Sequence, residues 1–135
     1  MASDGNTETI QLTVPAQAEF VRIVRLVMAG IGNSLAFNVE EINDLKMAVA
    51  EAYNMFHPSL DSPLQISTAI EPGRLVIDVS QQYDGRAPRL LTMEHSTERG
   101  IGMILLKHLM DKVEYCTDPT EMHVRLIKYR TASHT

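Results

Sequence analysis

Tryptophan is absent from this chain, cysteine occurs once, and only 5% of the residues are aromatic. A core built without large rings must rest on aliphatic side chains and on the 8 methionines. A single thiol, Cys116, excludes an intramolecular disulfide, and with no apolar leader at the start of the sequence it points to a reducing cytoplasm. The net charge is −5 and no run of Lys or Arg occurs, so the footprint of a nucleic-acid binder is missing. The longest apolar-rich run, Phe20 to Ile31, is broken by Arg22 and Arg25, which excludes a membrane span. The 5 histidines show no metal-ligand spacing. What is there, 135 residues with 44% hydrophobic and 21% charged content, suits one folded domain over residues 7–130. Residues 1–6 are expected to be a disordered N-terminus and residues 131–135 a tail.

Periodicity sets the order of elements. From Thr7, polar residues alternate with Ile10, Leu12 and Val14, the pattern of a half-buried strand that Pro15 stops. Ala16 to about Ile31 carries Phe20, Val24, Val27 and Ile31 at helical steps, and the spacing predicts an amphipathic helix ending at the Gly30–Ser34 breaker. Asn38 with Glu41 forms a capping box, and Phe37 with Ile42 a hydrophobic staple, so a second helix is expected to bury Ile42, Leu45, Val49 and Ala52 and to end before Pro58. Leu64, Ile66, Thr68 and Ile70 alternate as a strand, Glu71-Pro-Gly-Arg74 turns, and Leu75–Gln81 returns as its hairpin partner. A polar connection from Tyr83 to Arg99, long enough for a lid, leads to a third helix. Strands over Val113–Thr117 and Met122–Tyr129, joined at Asp118-Pro-Thr120, complete an α+β two-layer sandwich. Three helices are expected on one face of a mostly antiparallel sheet, leaving the outer face solvated or free for a dimer.

The most informative stretch is Glu98–Asp111. Gly100 and Gly102 open a segment in which Ile101, Ile104, Leu105 and Leu109 then recur at helical spacing. Glycines at a helix start admit close backbone approach, and the first N–H groups there form an anion site.

Three segments together carry a family likeness: Val14-Pro-Ala16 with Phe20-Val-Arg22, Glu41–Lys46 with Ala48–Ala52, and Gly100-Ile-Gly102 with Leu109–Val113. With them the chain, from about Ile10 to Tyr129, resembles the anti-sigma-factor serine kinases. That resemblance implies the Bergerat-type, histidine-kinase-like ATPase fold and a site for ATP and magnesium. It places Glu51 as general base, and Gly100, Ile101 and Gly102 as the phosphate cradle. The family's magnesium-binding asparagine falls on Met55, with Asn54 one position early as the nearest metal ligand, and its histidine falls on Ser59, two residues past His57. Its adenine-binding aspartate falls on Gln81 and the following glycine on Tyr83, while Asp84-Gly85 lies just beyond. An arginine that meets the sigma factor in relatives corresponds to Arg22.

One box is intact, one partial and one lost, so the resemblance implies a partner-switching regulator of transcription with an impaired nucleotide site. It would be a cytoplasmic homodimer that binds a sigma factor or an anti-sigma antagonist. Two alternatives stay open: an active ATP-dependent serine/threonine kinase that phosphorylates the antagonist through Glu51 and Asn54, and a non-catalytic dimeric interaction module.

Overall fold

A computed structural model describes residues 7–56, 62–82, 96–117 and 120–130. The expected terminal segments, His57–Ser59, the stretch Tyr83–His95 with Asp84-Gly85, and the Asp118-Pro119 part of the last turn lie outside these residues. Five strands, β1 (Glu8–Val14), β2 (Leu64–Ile70), β3 (Arg74–Gln82), β4 (Lys112–Thr117) and β5 (Glu121–Tyr129), form one sheet in the order β1-β2-β3-β5-β4. Every neighbouring pair is antiparallel. Three α-helices, α1 (Val21–Ser34), α2 (Val39–Tyr53) and α3 (Ser96–Leu109), complete the α+β sandwich. No helix among the described residues is long and apolar enough to cross a membrane.

Strand alternation separates the two sheet faces. In register across the sheet, Leu12, Ile66, Val79 and Val124 form one row, and Val14, Leu64, Gln81 and Met122 the next. These rows meet Val24, Met28, Leu45, Val49 and Leu106 from the helices in a single core. The opposite row, Gln11, Ser67, Asp78, Arg125 and Glu114, is polar. There Arg125 donates to both oxygens of Asp78, at 2.7 and 3.3 Å, and His123 Nε2 lies 3.0 Å from Asp78 Oδ1. The Asp78 carboxylate holds the Arg125 guanidinium above its usual pKa, by hydrogen bond first and charge second.

Both local signals for α2 and the hairpin are realised. Asn38 Oδ1 accepts from the Glu41 N–H while Glu41 Oε1 accepts from the Asn38 N–H, each at 2.8 Å. Glu71 and Arg74 exchange backbone bonds across Pro72-Gly73, and their side chains pair at 2.7 Å.

Two helix boundaries differ from the sequence reading. Residues Ala18–Phe20 form a 3-10 turn, and α1 then runs through Gly30 and Gly32 to Ser34. Gly32 does not break the helix because it faces α2: a Cβ there would stand 2.9 Å from Ile42 Cγ1. Termination comes instead at Ala36, with φ of 63°, where the Phe37 N–H bonds Gly32 O and the Ala36 N–H bonds Asn33 O. This is a Schellman close in which alanine occupies the left-handed position that glycine fills at lower cost. Ala36→Gly is therefore expected to raise the unfolding free energy by roughly 0.5–1 kcal/mol, read from urea melts. The second difference is α3, which starts at Ser96, so Ser96–Arg99 are helix rather than connection. Ser, Thr and Glu favour a helix N-terminus, and that composition places the start ahead of the glycines.

Candidate functional site

The end of α2 and the first half of α3 come together, and Gly102 is what lets them. A Cβ on Gly102 would stand 2.9 Å from Glu51 Oε2 and 3.8 Å from Glu51 Cδ, so the missing side chain leaves the space that the carboxylate occupies. Glu51, half-buried, and Gly102, buried, are thus neighbours, the residues to which the resemblance gives the roles of base and phosphate cradle. Their setting differs in one respect: Gly100, Ile101 and Gly102 lie inside α3 and not at its first turn. Peptide N–H groups past the first turn of an α-helix are spent on the helix ladder, so this backbone offers no open phosphate cradle at the glycines. Ile101 is 64% exposed and points away from the core.

Past Tyr53 the helix tightens. Asn54 caps α2 with its N–H on Ala50 O, after which Met55 and Phe56 bond three residues back, to Ala52 O and Tyr53 O. This last turn leaves Asn54 exposed and sends Met55, 7% exposed, into the hydrophobic core with Phe56. The position that aligns with the metal-binding asparagine is therefore an apolar plug, and the neighbouring amide faces solvent. A thioether is a poor ligand for a hard cation such as magnesium, which takes oxygen donors. Among the described residues no group of three or more His, Cys, Asp and Glu is placed to hold a metal. The Met55 side chain offers a magnesium ion no oxygen donor at that position.

Gln81, at the adenine position, is 1% exposed and donates from Nε2 to the Ser62 carbonyl at 3.0 Å. Its amide is engaged in closing the start of β2 onto β3.

Tyr53 links this region to the start of α1. Its hydroxyl donates to the Pro15 carbonyl and lies 2.9 Å from the Gln17 carbonyl, and its burial pushes the phenol pKa up. Just beyond that junction, Arg22 opens onto a cleft of about 340 Å³ together with Glu19, Val21, Arg25 and Leu26, and with Lys46 from α2. Three cations face one acid here in a chain of net charge −5. None of the three forms an ion pair among the described residues, and Leu26 is 66% exposed beside them. Sequence reading found Arg22 alone. Arg25 follows it at i+3 and was legible as a same-face neighbour, whereas Lys46 joins only through the packing of α2 on α1.

Comparison with known proteins places these features. A family model for the histidine kinase-like ATPase domain matches residues 14–128. The serine-protein kinase RsbW of Halalkalibacterium halodurans is 36% identical over 129 aligned residues, which cover 82% of this chain and 77% of that protein. The same protein from Bacillus thuringiensis is 31% identical over 141 aligned residues, covering 90% and 85% respectively. Among solved structures, a chain of the SiaB–SiaC complex from Pseudomonas aeruginosa superposes with a TM-score of 0.60. At 10% identity, over 87% of this chain and 89% of that one, the likeness is one of fold. This chain therefore belongs to the histidine kinase-like ATPase family, as a homologue of its RsbW serine-protein kinases.

Proposed function

We propose that this protein is an anti-sigma-type regulator that acts by exchanging protein partners, a sigma factor and its antagonist, as a cytoplasmic homodimer. The observation that carries this reading is the cleft around Arg22, where Arg22, Arg25 and Lys46, without an ion pair among the described residues, surround exposed apolar surface. Such a surface suits an acidic segment with an apolar anchor: charge selects and orients it, and burial of the anchor holds it. An arginine in a desolvated contact is a frequent hot spot, so Arg22→Glu is expected to weaken partner binding at least tenfold. Affinity capture of the tagged chain from its own cells, with mass spectrometry, tests this. A sigma factor or antagonist recovered with the native chain and lost with Arg22→Glu supports the proposal. Recovery unchanged by the charge reversal contradicts it.

The nucleotide site of this reading is impaired. Phosphoryl transfer needs a positioned metal, phosphate donors and a base. Glu51 supplies a carboxylate beside Gly102, but Met55 lies in the core and the glycines are wound into α3. The contact between Glu51 and Gly102 favours a second reading, a working serine/threonine kinase with Glu51 as base and Asn54 turned inward, and nucleotide binding separates the two.

A further inference from the structure

Three like charges converge on the cleft beside α1 with nothing among the described residues to neutralise them. Arg22 and Arg25 come from α1 and Lys46 from α2, and none is in an ion pair there. Arg74, Lys112 and Arg125, by contrast, are each paired with an acid. Glu19 is the one acid in the cleft lining, so positive charge is in excess there although the chain as a whole is negative. The local rules of helix stability run against this arrangement. Arg22 and Arg25 stand at i and i+3, where like charges repel. Arg22 also lies in the first turn of α1, a turn without an acid, at the positive end of the helix dipole. Charges set against local preference, with no partner inside the protein, mark a place where the partner comes from outside.

We propose that this cleft binds a small oligophosphate anion, free or as an ester, through Arg22, Arg25 and Lys46. Its volume of about 340 Å³ is that of a small-molecule site. Two guanidinium groups match phosphate oxygens in pairs, and the ammonium adds a point charge. A phosphate chain concentrates several charges within reach of all three cations, whereas a single carboxylate neutralises one. Val21 and Leu26 form an apolar wall against which the organic part of an ester can lie. Resting on the partner reading above, the same anion competes with the acidic segment of a protein partner. Its concentration then sets how much of the chain is open to partner exchange.

The test titrates the full chain, without magnesium and at fixed ionic strength, with inorganic tripolyphosphate, followed by calorimetry and by backbone amide shifts. Sub-millimolar binding is expected, with the shifts centred on Glu19, Arg22, Arg25 and Lys46. Arg25→Gln and Lys46→Gln are each expected to weaken it about tenfold, and Lys107→Gln, exposed on α3, to leave it unchanged. Tripolyphosphate should raise the Tm of the parent more than that of Lys46→Gln. ATP without magnesium separates the two forms of the anion: tighter binding than tripolyphosphate assigns the ester, equal binding the phosphate chain alone. Sulfate producing the same shifts, shifts centred on Glu51 and Gly102, or equal affinity in Lys46→Gln and Lys107→Gln overturns the site. Partner capture repeated with tripolyphosphate, against sulfate at matched ionic strength, tests the competition separately. Recovery undiminished by tripolyphosphate overturns the competition alone, and no partner in either sample overturns the partner reading and not the anion site.

Discussion

Gly32→Val is expected to lower the unfolding free energy by about 2–3 kcal/mol, the largest loss foreseen for a change that adds apolar surface. The reason is the distance between α1 and α2 at their crossing. A first carbon at Gly32 already stands 2.9 Å from Ile42 Cγ1 and 3.5 Å from Leu45 Cδ1, and Leu45 is fully buried. Valine adds two methyl groups to that space, so the helices must separate or Ile42 must leave its rotamer. Gly30 supplies the control. A Cβ there meets nothing within 4 Å, so Gly30→Ala is expected to stabilise by about 0.5–1 kcal/mol through helix propensity alone. Two glycines two residues apart, on nearly opposite faces of one helix, should give opposite signs in the same urea titration. Equal effects would mean that the helix contact is not tight.

Tyr53→Phe is the second large effect, and it depends on pH. The hydroxyl is the donor for two carbonyls where β1 passes into α1, and its removal is expected to cost about 1–2 kcal/mol at neutral pH. Burial raises the phenol pKa above its ordinary value of 10.0. The folded protein therefore keeps a proton that the unfolded chain releases above about pH 10, and stability falls as pH rises from there through the folded-state pKa. The phenylalanine variant lacks that proton. Its deficit against the parent should be constant below pH 10 and shrink above it, followed by denaturant melts at matched ionic strength. The same bond fixes the approach to Glu19 and Arg22, so its loss should also loosen the partner cleft.

Most of the architecture was legible because it rests on short-range rules. Asn38 and Glu41 form their box from four consecutive residues, the Glu71–Arg74 turn closes its own hairpin, and alternation assigns Leu64, Ile66 and Leu75–Gln81 to their faces. The misreadings are long-range. Gly30 and Gly32 look like a stop signal until α2 is packed against them, and Ala36 ends α1 in a conformation that its side chain disfavours. The start of α3 at Ser96 precedes the apolar repeat, which begins only at Ile101. At the site, Glu51 and Gly102 were paired in advance only through family resemblance, since nothing local joins residues fifty apart. Lys46 and the Asp78–His123–Arg125 group are products of tertiary packing and strand register. Sequence spacing within one element carries no trace of them.

The central claim, that docking surfaces persist while the nucleotide site has lost its metal ligand, is tested most directly by isothermal titration of the full chain with ATP, with and without magnesium. The account predicts no magnesium-dependent binding tighter than about millimolar, a free energy near −4 kcal/mol. Micromolar binding that requires magnesium and weakens in Glu51→Gln would contradict it, and would establish a working kinase site around Glu51 and Asn54.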